Sequence, residues 1–165
     1  MKTSSRVGRH VVIAVVIAAA AGSGGVIAQD GRATIRPGDV RWPAAANGGT
    51  GTSGAAGIQT VVVKGDPAKP GLYTLMLRAG PNIRIQAHSH GDDRVATVLK
   101  GTWYFGYGDR FNEAALQALE TGSFYTEPPN VSHFAMTKEE VILQISGTGP
   151  SSTTYVDPAN DPTRR

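Results

Sequence analysis

From Ile58 onward the chain is built from short runs of β-branched and aromatic residues, each of which stops at a turn rich in Gly, Pro, Asn or Asp. These runs cover residues 58–64, 72–77, 83–88, 95–99, 103–107, 123–126, 132–136, 141–146 and 153–156. Strands that are this short and this evenly spaced predict an all-β sandwich or barrel. One stretch differs: residues 112–119 are rich in Ala and Leu, which predicts a single short helix ending near Gly122.

The first 28 residues have the layout of a secretory signal peptide. Three basic residues, Lys2, Arg6 and Arg9, precede the apolar run 11–21, and small residues lead to a cleavage site after Ala28. The apolar run is shorter than the roughly 20 residues that cross a bilayer, so a cleaved signal is favoured over a permanent membrane anchor. The sequence therefore predicts a periplasmic or secreted protein without stable membrane insertion.

Beyond the signal, the sequence divides into three parts. Residues 29–57 contain a stretch of Gly, Thr, Ser and Asn that is too poor in apolar side chains to pack, which predicts a flexible N-terminal segment. The β-type runs make one domain over residues 58–157, and residues 158–165 form a C-terminal tail.

The charge of the mature chain excludes one class of partner. The full sequence has 16 Lys and Arg residues and 13 Asp and Glu residues, and three of the basic residues leave with the signal. The mature chain is therefore close to neutral, which removes the electrostatic basis for binding nucleic acid or an anionic membrane surface.

The mature chain has three histidines and no cysteine. Any metal site must therefore use nitrogen and oxygen ligands, which excludes Fe–S clusters and thiolate zinc. His88 and His90 are two residues apart in a predicted strand and should point to the same face of a sheet. His133 follows a turn at residues 127–130 and opens another predicted strand. Three imidazoles suit divalent transition metals and leave coordination positions open for other ligands.

Two groups of residues resemble the two sequence motifs of the cupin superfamily. The first motif is His-x-His, three or four residues, Glu, six residues and Gly. At this spacing the chain has His88, His90, Arg94 and Gly101. The second motif is Gly, five residues, Pro, and then His five positions later. The chain matches it with Gly122, Pro128 and His133, so the resemblance extends over residues 58–157.

The resemblance implies a cupin double-stranded β-helix, which is a jelly-roll barrel. It also implies that His88, His90 and His133 hold one divalent metal ion, with Fe(II) favoured and Zn, Mn or Ni as alternatives. A homodimer is compatible with the resemblance.

Arg94 departs from the motif because it stands where cupins usually have a glutamate ligand, and a guanidinium cannot bind a cation. The metal site is then expected to use the three histidines alone, or to take an oxygen ligand from Asp92, Asp93, Gln86 or water. Two orientations of Arg94 are open. It points inward and clamps a carboxylate or enolate, or it points outward and pairs with Asp92 or Asp93.

Aromatic residues on the strand 103–107 have a structural and a functional interpretation. Trp103, Phe105 and Tyr107 share one face, which is typical of core or dimer packing. Tyr104 or Gln144 could instead line the ligand pocket.

The function hypothesis is an exported metal-binding cupin that acts as a mononuclear, dioxygenase-like metal enzyme. Its ligand would be a small anionic or enolisable molecule, with Arg94 as a catalytic residue. Two alternatives remain open: a non-oxidative Lewis-acid isomerase or hydrolase, and a non-catalytic small-molecule-binding cupin.

Overall fold

The computed structural model describes residues 32–44 and 49–164 and consists mainly of antiparallel strands. The signal peptide predicted over residues 1–28 lies outside the described residues. The strands are β1 Ile58–Lys64, β2 Gly71–Ala79, β3 Arg84–His90, β4 Arg94–Lys100, β5 Trp103–Tyr107, β6 Gln117–Leu119, β7 Phe124–Glu127, β8 His133–Met136, β9 Val141–Gly149 and β10 Thr153–Tyr155. The all-β prediction is confirmed.

The strands form two five-stranded sheets that enclose one core. The first sheet has the order β1-β2-β9-β4-β7, and the second has the order β10-β3-β8-β5-β6. Alternation of apolar and polar residues decides which side chains lie between the sheets. In β9, for example, Val141, Leu143 and Ile145 are buried, whereas Gln144 is exposed. This is the arrangement of a jelly-roll barrel.

The helix predicted over residues 112–119 is wrong. The structure has a single 3-10 turn there, Glu113–Ala115, followed directly by strand β6. An isolated helix this short is marginal in water, and the side chains of Gln117 and Ala118 are exposed, so the segment has no apolar face to bury as a helix. It instead pairs with β5, with Trp103 opposite Leu119, and thereby supplies the edge strand of the second sheet. Strand pairing overrides local helix propensity here.

Strand register brings the motif residues of the sequence to one end of the barrel. His88 in β3 is paired with His133 in β8 across the second sheet. Arg94 at the start of β4 is paired with Glu127 at the end of β7 across the first sheet. All four side chains are buried. The two pairs face one another from opposite sheets and line the same cavity.

Part of the predicted flexible segment 29–57 packs against this end of the barrel. Gly51, Thr52 and Ser53 are buried. The Tyr155 hydroxyl donates a hydrogen bond of 2.6 Å to the Ser53 carbonyl, and the Thr153 hydroxyl donates one of 3.0 Å to the Thr52 carbonyl. The sequence predicted an unpacked segment because it contains few apolar side chains. These three residues are packed nevertheless, because their backbone carbonyls accept hydrogen bonds from side chains of β4 and β10. No helix among the residues that the structure describes is long and apolar enough to cross a membrane.

The glycine that ends the first motif, Gly101, allows a test of the fold. Its φ is +76°, and a Cβ atom there would lie 2.6 Å from the Glu140 carbonyl oxygen. Gly101→Ala is expected to lower the free energy of unfolding by clearly more than the ~1–2 kcal/mol that left-handed backbone costs an L-residue. Gly122→Ala is the matched control, since Gly122 also has a positive φ (+93°) but no atom within 4 Å of its added Cβ. Urea unfolding of both variants measures the difference, and equal losses would contradict a steric role for Gly101.

Candidate metal centre

His88, His90 and His133 come together inside the barrel. Their ligand-capable nitrogen atoms all lie within 4.8 Å of one another, and each histidine is less than 5 % exposed. His88 and His90 project from the same face of β3. Ile85 and His88 are three positions apart and would face opposite sides of a regular strand, but the register irregularity between them turns both inward. His133 approaches from β8. The juxtaposition expected from the sequence is therefore present.

Each histidine is oriented by a backbone carbonyl. The Nδ1 atoms hydrogen-bond to the carbonyl oxygens of Gln86 at 2.8 Å, Ser152 at 2.9 Å and Val131 at 3.1 Å, for His88, His90 and His133 respectively. A carbonyl oxygen can only accept, so Nδ1 carries the proton and the lone pair of each ring lies on Nε2. The Nε2 atom of His90 is buried and has no hydrogen-bond partner. This donor set fits a divalent metal ion, because metal-bound histidines characteristically donate their other ring N–H to such a partner.

All three imidazoles are neutral at physiological pH. Burial and the neighbouring His133 lower the pKa of His88 to about 3, and burial and Arg94 lower the pKa of His90 to about 2. Burial also lowers the pKa of His133. A neutral imidazole is the form that binds a metal, so none of the three histidines has to lose a proton before a metal ion binds.

Arg94 lies inside the barrel, where it forms an ion pair with Glu127. Its Nε donates to Glu127 Oε2 at 2.7 Å and its Nη2 donates to the same oxygen. Its Nη1 donates to the carbonyl oxygen of Gly51 in the segment above the barrel end. The side chain is 3 % exposed. Of the two orientations that the sequence leaves open, the structure has the inward one, but the guanidinium is already bonded on both sides.

The residues expected to pair with Arg94 or to supply an oxygen ligand lie elsewhere. Asp92 is buried and accepts hydrogen bonds from the hydroxyls of Tyr73 at 2.7 Å and Ser151 at 2.6 Å. Asp93 is exposed, and Gln86 lines a separate pocket. The outward pairing of Arg94 with Asp92 or Asp93 is therefore absent from the described structure.

Glu127 is the residue of the site that the sequence analysis missed. Its Oε2 atom lies 3.7 Å from His90 Nε2 and 3.9 Å from His133 Nε2. Burial alone would raise its pKa, but Arg94 and the nearby histidines lower it to about 2, so it is ionised. The sequence placed it in the turn 127–130. The available signal was period-two alternation, because Tyr125 and Glu127 occupy alternate positions of β7 and both are buried.

These residues surround a cavity of about 30 Å³, which is room for about two water molecules. Its remaining wall is mostly apolar and includes Leu77, Leu143 and Phe105. Tyr104 and Gln144, which could have lined it, do not: Lys138 Nζ lies 4.6 Å from the centre of the Tyr104 ring, and Gln144 is exposed.

Solved structures place this architecture in a known fold. KdgF from Halomonas sp. superposes with a TM-score of 0.52 at 15 % identity, over 71 % of this chain and 95 % of that chain. The two facing five-stranded sheets are those of a jelly-roll barrel, and the two sequence motifs follow the cupin pattern. The protein has the cupin fold. No protein-family profile and no curated protein matches the sequence.

Two further solved structures match this protein with lower TM-scores. An RmlC-like cupin from Shewanella frigidimarina has a TM-score of 0.47 at 18 % identity, over 56 % of this chain and 76 % of that chain. Salicylate 1,2-dioxygenase from Pseudaminobacter salicylatoxidans has a TM-score of 0.49 at 15 % identity, over 59 % of this chain but only 30 % of the dioxygenase. Similarity at this level concerns the fold and carries no activity with it.

The cavity also contains two buried donors that lack a well-formed hydrogen bond. The indole N–H of Trp103 and the hydroxyl of Tyr125 line the cavity and have no partner at normal hydrogen-bond geometry, although Tyr125 interacts with both Trp103 and Glu127. Burial raises the pKa of Tyr125 well above its ordinary value, so the hydroxyl keeps its proton. A buried donor without a partner costs about 1–3 kcal/mol. An oxygen atom in the cavity would satisfy both groups.

The neutral histidines make the metal-free cupin sensitive to mild acid. In the unfolded chain a histidine has a pKa near 6.5, whereas folded His88 and His90 have values of about 3 and 2. Below pH 6.5 the unfolded state therefore binds more protons, and the free energy of unfolding falls as the pH falls. Between pH 7.5 and pH 5 the expected loss is about 2 kcal/mol for each of the two histidines.

Urea unfolding of chelator-treated protein at pH 7.5 and pH 5 measures this loss. The carboxylate of Glu127 does not contribute in this range, because its pKa changes from about 4.5 in the unfolded chain to about 2 in the fold. In His90→Gln, which cannot titrate at that position, the loss between pH 7.5 and pH 5 should be smaller by about 2 kcal/mol. An unchanged midpoint at pH 5 would show that the histidines are charged or exposed in the metal-free protein.

Proposed function

We propose that this cupin is an exported metal-dependent enzyme with dioxygenase-like activity on a small anionic or enolisable molecule. The observation that carries the proposal is the set of three histidine Nε2 atoms directed into a dry cavity beside a carboxylate. Fe(II) is the favoured metal, with Zn, Mn or Ni as alternatives, because imidazole suits all of them. Bound Fe(II) would supply coordination positions for O₂ and for a substrate oxygen.

The chain's own residues favour an oxygen-bearing ligand. Arg94 was expected to clamp an anion, but its ion pair with Glu127 and its bond to Gly51 occupy its donors. We assign that contact to Trp103 and Tyr125 instead, since their N–H and O–H groups line the same cavity and lack well-formed hydrogen bonds. Both donors are fixed by burial, so a carboxylate, enolate or carbonyl oxygen would be oriented without loss of side-chain freedom.

The size of the cavity bears on access. About 30 Å³ holds an ion with one or two small ligands, so a larger molecule must displace part of the wall. The segment 51–53 is the candidate for that displacement, because it is attached to the barrel by backbone carbonyls that accept hydrogen bonds from the side chains of Arg94, Thr153 and Tyr155.

The experiment is reconstitution of metal-free protein with Fe(II), Mn, Zn and Ni in turn, followed by oxygen-electrode assays with a panel of small carboxylates and β-diketones. We expect oxygen uptake with Fe(II) on at least one class of compound, its loss in His133→Ala, and its reduction in Trp103→Phe. Turnover that follows Zn or Mn without oxygen uptake would replace dioxygenation by Lewis-acid chemistry. Saturable binding without turnover under any metal would make the protein a binding module.

Export is tested separately, by mass determination of protein recovered from the periplasm and the medium. A mature chain that begins at Gln29 supports it, and a full-length protein retained in the cytoplasm would contradict it.

A further inference from the structure

We propose that Glu127 is a fourth protein ligand of the metal, supplied from strand β7 because Arg94 occupies the glutamate position of the first cupin motif on strand β4. This inference rests on the proposed metal site and adds to it a residue at a variable position of the second motif, where neither motif specifies a ligand. It also gives Arg94 a role as a positioning residue rather than a substrate-binding one.

Distances support the ligand role. Two atoms that each lie about 2.1 Å from one ion can be at most about 4.2 Å apart. Glu127 Oε2 is 3.7 Å from His90 Nε2 and 3.9 Å from His133 Nε2, so the carboxylate lies within this limit of two of the three histidine nitrogen atoms. The side chains of Glu127, His90 and His133 are nearly inaccessible to solvent, with exposures of 5 %, 1 % and 3 %.

Strand pairing explains how a carboxylate can reach this position from a different strand. β4 and β7 are antiparallel neighbours, and Arg94 is directly opposite Glu127. Side chains of directly opposed residues start only about 4.5–5.5 Å apart and project from the same face of the sheet. Both side chains are buried on the inner face. A glutamate at position 127 therefore presents its carboxylate to the same region as a glutamate at position 94 would.

Charge gives a second reason. A buried guanidinium beside a divalent ion would repel it, and the repulsion is strong in a dry cavity. A carboxylate has about four lone-pair positions; the two N–H groups of Arg94 occupy those of Oε2, which leaves the lone pairs of Oε1 for the ion. The single negative charge of Glu127 would then be shared between the guanidinium and the ion.

The test compares cobalt(II) binding by three forms of the full chain: wild type, Arg94→Met, and Arg94→Met combined with Glu127→Gln. The double variant leaves no unpaired buried charge and should fold. The measurements are the dissociation constant for Co²⁺ in competition with a chelator and the visible absorption spectrum of the complex. His133→Ala is the control that reports the histidine site itself.

If Glu127 is a ligand, the double variant should bind Co²⁺ at least about tenfold more weakly than wild type and show a different spectrum. Arg94→Met should bind at least as tightly as wild type, because the carboxylate is then free for the ion. Loss of the guanidinium alone can only strengthen cation binding, so weaker binding by the double variant can be assigned to Glu127. An unchanged affinity and spectrum in the double variant would make Glu127 merely the counter-ion of Arg94 and would overturn this inference.

The two proposals fail in different ways. Wild-type protein that binds no Co²⁺ would overturn the metal site and the inference together. Wild-type protein that binds Co²⁺, loses it in His133→Ala and keeps it in the double variant would overturn only the role of Glu127.

Discussion

His133→Ala is expected to reduce metal in reconstituted protein from a stoichiometric level to traces. Only the two histidines on β3 and the Glu127 carboxylate, which is ion-paired with Arg94, would remain, and this set is expected to lose the ion on desalting. The contribution of β8 to the site is also lost, because His133 is the histidine that β8 adds to the two on β3. Elemental analysis of protein reconstituted and then desalted measures the loss, and His88→Ala and His90→Ala should behave in the same way.

Phe105→Leu is the matched control for this experiment. Phe105 lines the same cavity, and its ring centre is 5.4 Å from that of His133, but it offers no ligand atom. It should keep its metal although its side chain is altered next to the site. If Phe105→Leu loses metal as completely as His133→Ala, the loss reports damage to the barrel rather than to coordination.

Arg94→Met is expected to lower the free energy of unfolding of the metal-free protein by about 3–5 kcal/mol. The reason is that Glu127, which is 5 % exposed, would remain as a buried carboxylate without its cation. Addition of Glu127→Gln should recover much of this loss, since the double variant buries no uncompensated charge. A double-mutant cycle by urea unfolding, with metal removed, gives the coupling between the two side chains.

Lys100→Ala provides the comparison with an exposed ion pair. Lys100 Nζ lies 2.7 Å from Glu140 Oε1, but the two side chains are 60 % and 43 % exposed. Lys100→Ala should therefore lower the free energy of unfolding by no more than about 1 kcal/mol. If Arg94→Met costs as little as Lys100→Ala, the Glu127 carboxylate must reach water or a proton in the absence of its partner.

The histidine cluster could be predicted from sequence because it depends on local geometry plus one long-range pairing. Alternation along a strand places His88 and His90 on one face, and the cupin motif spacing adds His133. The strands themselves were predictable for the same reason, since the alternation of buried and exposed residues extends through runs such as β9. The edge strand β6 was not, because a three-residue strand has no periodicity and its Ala and Leu residues favour a helix in isolation.

The Arg94–Glu127 pair shows what local reasoning could not supply. Arg94 has two acidic residues within two positions along the chain, and proximity in sequence suggested them as partners. The partner is instead 33 residues away, and only the register of β4 against β7 brings it opposite. Asp92 was unavailable for a similar reason, because it is held by Tyr73 and Ser151, which are also distant in sequence. Buried charges select their partners through strand register rather than through sequence distance.

The residues 51–53 have a practical consequence for work on this protein. Sequence patterns place the start of the domain at Ile58, and a shortened protein that began there would retain every strand. It would nevertheless lack the carbonyl oxygen of Gly51 that receives Arg94 Nη1, together with one wall of the cavity. Such a truncation would open the ligand cavity to solvent while leaving the barrel itself intact. Protein for metal or ligand studies should therefore begin well before the first strand, even though none of the residues described before Ile58 belongs to a strand.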